Sequence, residues 1–175
     1  WSACLCSAWG CEEVLAVDPG ELAQGLLEAN REAAARGAAG RIRHLRMRWE
    51  EAFAQLKEDG ASVDVLTCDA NVPCDQTLDL LEAADASGLL APRAYLVLTF
   101  KNCSRTKSDF ERLKAEQLVR LGRLCDGMRE VQLLANRKLE TTVLGRFAGA
   151  RAAPRDSAAG TDRGEVAKEV FCGDS

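Results

Sequence analysis

The sequence predicts an α/β fold built on a mostly parallel, Rossmann-like sheet, and three observations lead to this prediction. Short apolar runs alternate with amphipathic segments over residues 1–147, in the order β-α-β-α-β-α-β-α-β-β. The last two apolar runs lie so close together that only an antiparallel hairpin can join them. The chain has 175 residues, of which 47% are hydrophobic and 29% charged, which is typical of one globular domain.

The first half of the chain supplies two strands, each followed by a helix. The strand at 14–17 is apolar and stops at Asp18, Pro19 and Gly20, which are typical turn residues. Apolar residues at helical spacing then continue to Gly37, a common helix end. The predicted elements of this half are a strand at 14–17, a helix over 21–37, a strand over 41–47 and a helix over 49–60.

The second half continues the alternation and then closes with the hairpin. The run 93–101 is the strongest strand, because it is continuously apolar up to Lys101. The segment 107–127 has apolar residues at helical spacing, so it predicts a long helix that includes Cys125. The predicted elements are a strand over 63–69, helices over 75–90 and 107–127, a strand over 93–101, and two strand-like pieces within 130–147.

The composition changes near Ala148, where Ala, Gly, Arg, Asp and Ser replace the large apolar residues. Such a segment buries too little apolar surface to offset the entropy of ordering it. The sequence therefore predicts one α/β domain over 1–147 and a disordered tail over 148–175.

Charge and cysteine content exclude several classes of function. The net charge of -4 gives no overall attraction to nucleic acid, so a site for such a partner must be local. No apolar run reaches the roughly 18 residues that a membrane span needs, so no membrane partner is expected. The 8 cysteines include no Cys-x-x-Cys pair, and His44 is the single histidine, so no metal site is predicted. Reduced thiols in an intracellular compartment are expected instead.

Ionisable residues follow three of the predicted strands. Asp18, Asp69 and Lys101 each stand at the carboxyl end of an apolar run, where ligands bind in sheets of this kind. Glu140 precedes the last strand, which runs antiparallel and so begins where its neighbours end. We therefore expect these side chains at one edge of the sheet.

Each of these residues also has a simpler interpretation. Asp18 can bind the two hydroxyls of a ribose, or it can be a turn residue that introduces Pro19. Asp69 and Lys101 can form a site in which burial and charge pairing tune the lysine pKa, or they can be solvated strand ends. The same choice applies to the arginines at 41, 43, 46 and 48, which could bind phosphates or line a solvated strand edge.

The residues also resemble a family. Asp69 in "CDAN", Lys101 in "LVLTFKN" and Glu140 in "LETTVLGRF" resemble the last three members of the Lys-Asp-Lys-Glu tetrad of FtsJ-like RNA 2′-O-methyltransferases. The run "VLAVDPGEL" resembles the strand of that family whose acidic end, here Asp18, holds the ribose of S-adenosylmethionine. The opening "WS" resembles the end of the family's cofactor loop, which places Trp1 beside the cofactor. The resemblance covers residues 1–147.

The resemblance implies methyl transfer from S-adenosylmethionine to a ribose 2′-hydroxyl of RNA, with ribosomal RNA as the expected substrate. Asp69, Lys101 and Glu140 would be the catalytic residues, and Trp1, Asp18 and Asp69 would bind the cofactor. Lys101 would act as the base, which needs a neutral amine, or would orient the hydroxyl. No metal is implied.

The chain also departs from the family pattern. The first tetrad lysine, the glycine-rich loop and the first strand of the sheet would precede Trp1, so the resemblance implies a domain that is incomplete at its N-terminus and binds the cofactor weakly. The segment 46–53, "RMRWEEAF", lacks the acidic residue that often contacts the adenine. Two other functions stay open: a non-catalytic Rossmann-like interaction domain and a nicotinamide-dependent oxidoreductase.

Overall fold

The structure is a computed structural model that describes residues 10–37, 40–132 and 139–149. Within these residues the helices and strands follow one another in the predicted order. The elements are β1 (Glu13–Val17), α1 (Gln24–Ala35), β2 (Arg41–Leu45), α2 (Trp49–Glu58), β3 (Val63–Cys68), α3 (Cys74–Ala86), β4 (Leu90–Phe100), α4 (Lys107–Leu121), β5 (Cys125–Val131) and β6 (Thr141–Phe147). None of the described helices is long and apolar enough to cross a membrane.

The described strands form two sheets. β1 and β2 make a parallel pair, and the other strands make a four-stranded sheet in the order β3-β4-β6-β5. β3 and β4 are parallel, whereas β6 is antiparallel to both β4 and β5. The fold is therefore the predicted Rossmann-like arrangement with an antiparallel C-terminal strand. Among the described residues no strand joins β1 to β3.

One face of β4 supplies the centre of the core. Its alternate residues Ala94, Leu96, Leu98 and Phe100 are buried, and α3 packs on this strand between α2 and α4. The period of two follows from strand geometry, which points successive side chains to opposite faces. On the other face Tyr95 is 49% exposed. The Arg146 guanidinium lies 3.8 Å from the centre of its ring, a cation–π contact.

A side chain satisfies the backbone of β2 on the side away from β1. The Asn30 side chain of α1 accepts a hydrogen bond from the Ile42 amide and donates one to the Ile42 carbonyl, both at 2.7 Å. Within the described residues β2 has no strand partner on that side, and these bonds take its place. They also fix α1 against the two-stranded sheet.

Several element boundaries differ from the sequence prediction, and the largest difference is at the end of α4. α4 ends at Leu121, so Cys125 belongs to β5 and the predicted helix over 107–127 is too long. Pairing with β6 decides this segment, because tertiary contacts override a local helical pattern. The "CDG" sequence that resembles a helix end is instead a β-bulge between Asp126 and Arg129, in which Gly127 has φ +61°.

The second difference concerns β4. The strand begins at Leu90, earlier than predicted, and α3 ends at Ala86. Leu90 pairs with Val63 before a register shift in the ladder. The predicted tail is described only up to residue 149, and the rest of it lies outside the described residues.

Candidate functional site

Three of the predicted site residues meet at the carboxyl end of the four-stranded sheet. Lys101 Nζ lies 2.8 Å from Asp69 Oδ1 and 3.4 Å from Glu140 Oε2. The structure thus brings together the residues that the strand-end pattern grouped. We call Asp69, Lys101 and Glu140 the triad.

Strand register produces the triad. Cys68 pairs with Leu98 in the parallel ladder, so Asp69 and Lys101 both emerge from the same end of β3 and β4. In the antiparallel ladder Phe100 pairs with Thr141. The residue that follows Phe100 therefore faces the residue that precedes Thr141. Glu140 is consequently placed directly across from Lys101.

Burial differs within the triad. The side chains of Lys101 and Glu140 are only 14% and 16% exposed, whereas that of Asp69 is 61% exposed. The Lys101–Glu140 contact is therefore shielded from water, and Asp69 is the solvent-exposed member of the triad. An ion pair that is shielded from water is screened less than one at the surface.

The carboxylates keep Lys101 charged. Its pKa is raised above the usual lysine value, first by the hydrogen bond to Asp69 and then by the charges of Asp69 and Glu140, which together outweigh the opposing effect of burial. At neutral pH the side chain is consequently an ammonium ion. A role as a base would first require this proton to leave.

Two buried polar groups that the sequence analysis did not identify lie next to the triad. Thr99 and Thr142, each two residues from a triad member, form a buried contact between their hydroxyl oxygens at 3.2 Å. The pair connects β4 to β6 directly beneath the site. Threonine within otherwise apolar strands was the available clue, since a buried hydroxyl needs a partner.

The backbone after β4 is also held. The Lys101 carbonyl accepts hydrogen bonds from the Cys74 thiol at 3.7 Å and from the Cys103 amide at 3.1 Å. Burial raises the pKa of Cys74 to about 11, so this thiol stays protonated and can donate. The loop after Lys101 therefore starts in a defined conformation.

Asp18 stands apart from the triad, at the carboxyl end of β1. Its Oδ1 accepts a hydrogen bond from the Gly20 amide at 2.7 Å, and the His44 ring nitrogen Nε2 lies 3.1 Å from its backbone carbonyl. A Cβ on Gly20 would come within 2.9 Å of Asp18 Oδ1, so the turn requires glycine to hold the carboxylate this way. No hydrogen bond or ion pair joins Asp18 to the triad within the described residues. Trp1 lies outside them.

The arginine cluster is not a free basic patch. Each of its four members pairs with a carboxylate of a neighbouring segment. The pairs are Arg41–Glu13, Arg43–Asp59, Arg46–Glu21 and Arg48–Glu50. Because their charges are locally neutralised, the arginines fit the solvated strand edge better than a phosphate site.

Comparison with known proteins is informative at the level of structure. No protein-family model matches the chain, and no curated protein sequence matches it significantly. The fibrillarin pre-rRNA processing protein of Methanococcus jannaschii is similar in structure, with 18% sequence identity and a TM-score of 0.52. The match covers 78% of this chain and 56% of that chain, so the chain spans little more than half of fibrillarin's length.

Two further solved structures are similar at lower scores. A methyltransferase from Pyrococcus furiosus is 16% identical, with a TM-score of 0.41 over 78% of this chain and 63% of that one. The N-methyltransferase NodS from Bradyrhizobium japonicum is 14% identical, with a TM-score of 0.45 over 82% and 77%. Because both TM-scores are below 0.5, these two structures do not contribute to the fold assignment. The likeness to fibrillarin, together with the strand order, shows a Rossmann-like methyltransferase fold.

Proposed function

We propose that the protein is an S-adenosylmethionine-dependent methyltransferase that acts on a ribose 2′-hydroxyl of RNA, with ribosomal RNA as the expected substrate. The observation that carries the proposal is the triad, in which Lys101 contacts Asp69 and Glu140 at the carboxyl end of the sheet. The fold supports methyl transfer in general. The triad adds the ribose acceptor, because its residues match the last three members of the FtsJ-like tetrad in order and in placement.

Asp18 fits the ribose of the cofactor. One carboxylate oxygen is held by Gly20, and the other has no partner among the described residues, so it can accept hydrogen bonds from a diol. When bound, S-adenosylmethionine would supply an electrophilic methyl group. Trp1 and Asp69 remain predicted contacts to the same cofactor.

Lys101 is suited to orient the acceptor oxygen. An ammonium group has three N–H donors, and those of Lys101 have two carboxylate partners. One donor is left for the oxygen of an incoming hydroxyl. Because the flanking carboxylates favour the charged form, we propose that Lys101 positions this oxygen and does not act as the initial base.

Asp69 is the better candidate for receiving the hydroxyl proton. Its Oδ1 is occupied by Lys101, but its exposed carboxylate leaves Oδ2 available to the substrate side. Glu140 is largely buried and holds the lysine from behind. Fixing the acceptor oxygen in line with the methyl group would contribute much of the rate, since displacement is sensitive to orientation.

Incubation with RNA and S-adenosylmethionine labelled on the methyl group tests the proposal. We expect label in RNA at positions where the backbone resists alkaline cleavage, because a methylated 2′-oxygen cannot attack the adjacent phosphate. The Lys101→Ala variant is the matched control and should incorporate far less label.

The other outcomes identify the alternatives. Label on a base would retain methyl transfer and overturn the ribose assignment. RNA binding without any label would favour a non-catalytic interaction domain. Oxidation or reduction of a nicotinamide cofactor with a small-molecule substrate would overturn methyl transfer altogether.

A further inference from the structure

We propose that Arg105 and Lys107, on the segment that follows Lys101, bind backbone phosphates of the RNA next to the nucleotide that enters the triad. This inference rests on the proposed function and specifies how the substrate would be held. We call Arg105 and Lys107 the phosphate pair.

The first support is the charge balance around these two side chains. Both residues are exposed, and neither has an ion pair in the part of the chain that the structure describes. The arginines on and after β2 are equally cationic, but each is neutralised by a carboxylate. A phosphate can therefore bind the phosphate pair without first breaking a salt bridge.

The second support is position. The other exposed cations without ion pairs among the described residues are Arg31, Lys57, Arg93, Arg123 and Arg129. Lys57, Arg93 and Arg123 lie at the opposite end of the four-stranded sheet, because each stands near the beginning of a strand. Arg31 lies on α1, and Arg129 lies within β5, where it pairs with Leu144. The phosphate pair instead lies at the end where the triad is located.

Distance is compatible with a shared substrate. Three residues separate Lys101 from Arg105, so their Cα atoms are four steps along the chain and at most about 14 Å apart. The loop is folded back on itself, since the Cys103 amide donates to the Lys101 carbonyl and the Ser104 amide donates to Asn102 Oδ1. A short stretch of RNA can consequently reach both the triad and the phosphate pair.

Nearby carboxylates would not repel the RNA strongly, because they are already engaged. Asp109 Oδ2 accepts a hydrogen bond from the Thr106 hydroxyl, and the Asp109 amide donates to the same hydroxyl oxygen in the N-terminal cap of α4. Asp109 Oδ1 also pairs with Arg112. Asp69 is occupied by Lys101.

In a chain with net charge -4, such a local basic site is what RNA binding requires. Arginine suits the task, because its planar guanidinium can donate two parallel hydrogen bonds to one phosphate.

Salt dependence of RNA binding tests the inference. Binding of a fluorescein-labelled single-stranded RNA of mixed sequence would be measured by anisotropy between low and moderate KCl concentrations. Each phosphate contact in single-stranded RNA contributes about 0.7 to the slope of log K against log salt. We expect Arg105→Ala and Lys107→Ala each to lower the slope by about that amount, at every RNA sequence tested. Arg105→Lys should restore most of it.

Arg46→Ala is the matched control, because Arg46 is exposed but paired with Glu21. Its slope should equal that of the unaltered protein. An unchanged slope in both phosphate-pair variants, or no RNA binding by the unaltered protein, would overturn the inference. Thermal unfolding of each variant shows whether the fold is retained.

Failure of this inference can be told apart from failure of the proposed function. If the protein methylates ribose but the phosphate-pair variants bind RNA normally, only the phosphate pair is wrong. If the variants lose their salt slope but the protein transfers no methyl group, the RNA contact stands and the methyltransferase proposal is wrong.

Discussion

The charged residues at the carboxyl ends of the two sheets have different surroundings. At the end of the four-stranded sheet, the Lys101 side chain is only 14% exposed and contacts carboxylates that adjoin two neighbouring strands. At the end of the two-stranded sheet, Asp18 is exposed, and its carboxylate accepts a hydrogen bond from Gly20 of its own turn. Both began as charged residues after an apolar strand, so the sequence pattern was the same.

The difference shows what a strand-end charge needs to become part of a cluster. Lys101 has neighbours on both sides, because β4 lies between β3 and β6. Asp18 belongs to a strand with β2 on one side only, among the residues described. The arrangement around Lys101 suits a group that must be held in one orientation. The arrangement around Asp18 suits a group whose side chain stays accessible to a ligand. The following predictions test this contrast.

The largest effect is expected in the core. Leu98 of β4 is fully buried, so Leu98→Ala should lower the free energy of unfolding by about 2–5 kcal/mol. Leu15 of β1 is only partly buried, so Leu15→Ala should cost less. Urea unfolding followed by circular dichroism measures both values. Equal losses would show that the two sheets are supported to the same degree.

Lys101→Ala should reduce the rate of methyl transfer by about 100-fold, because misplacement of a reacting oxygen by about 1 Å can cost that much in rate. Affinity for S-adenosylmethionine should change little, because the ammonium group faces the acceptor hydroxyl. Single-turnover rates and calorimetric titration separate the two quantities. Lys57→Ala, which alters a lysine far from the triad, is the control. A collapse in cofactor affinity would contradict the assignment.

Asp18→Ala should have the opposite profile. Loss of a hydrogen bond to a charged group costs about 1.5–3 kcal/mol, which corresponds to at least roughly tenfold weaker cofactor binding. The rate at saturating cofactor should stay near that of the unaltered protein. Calorimetry provides the affinity. An unchanged affinity would mean that Asp18 is only a turn residue.

The smallest effect is expected in the pH dependence of stability. The folded protein raises the pKa of Lys101, so the lysine stabilises the fold while it is charged. This contribution is fully present below the unfolded-state pKa of about 10.4, and it is lost as the pH rises through the higher folded-state value. We expect the stability difference between the unaltered protein and Lys101→Met to shrink above that pH. Urea unfolding between neutral and strongly alkaline pH measures it, and a constant difference would argue against the ion pairs.

Much of the site was predictable because strand direction alone places residues at one edge of a sheet. The alternation of apolar runs predicted parallel strands, and the short final link predicted the antiparallel hairpin. Asp69, Lys101 and Glu140 then had to lie at the same end. The sequence pattern could not distinguish Asp18 from them, because it contains no information on how many neighbours a strand acquires.

The misplaced helix end has a related cause. The pattern around Cys125 is locally compatible with a helix, and its strand conformation depends on pairing with β6, which is distant in sequence. The charges of the β2 segment behave likewise. Arg43, for example, pairs with Asp59 at the end of α2, a contact that no local pattern predicts.

By itself, the sequence determined the order of the elements, the antiparallel hairpin and the end of the sheet at which Asp69, Lys101 and Glu140 lie. These features follow from hydrophobic periodicity and strand direction, which are local or nearly local properties. Three outcomes depended on the tertiary structure: two carboxylates raise the pKa of Lys101, Asp18 stands apart, and the arginines on and after β2 are neutralised. Those outcomes depend on burial and on distances between atoms far apart in the chain, because electrostatic interactions change steeply with both.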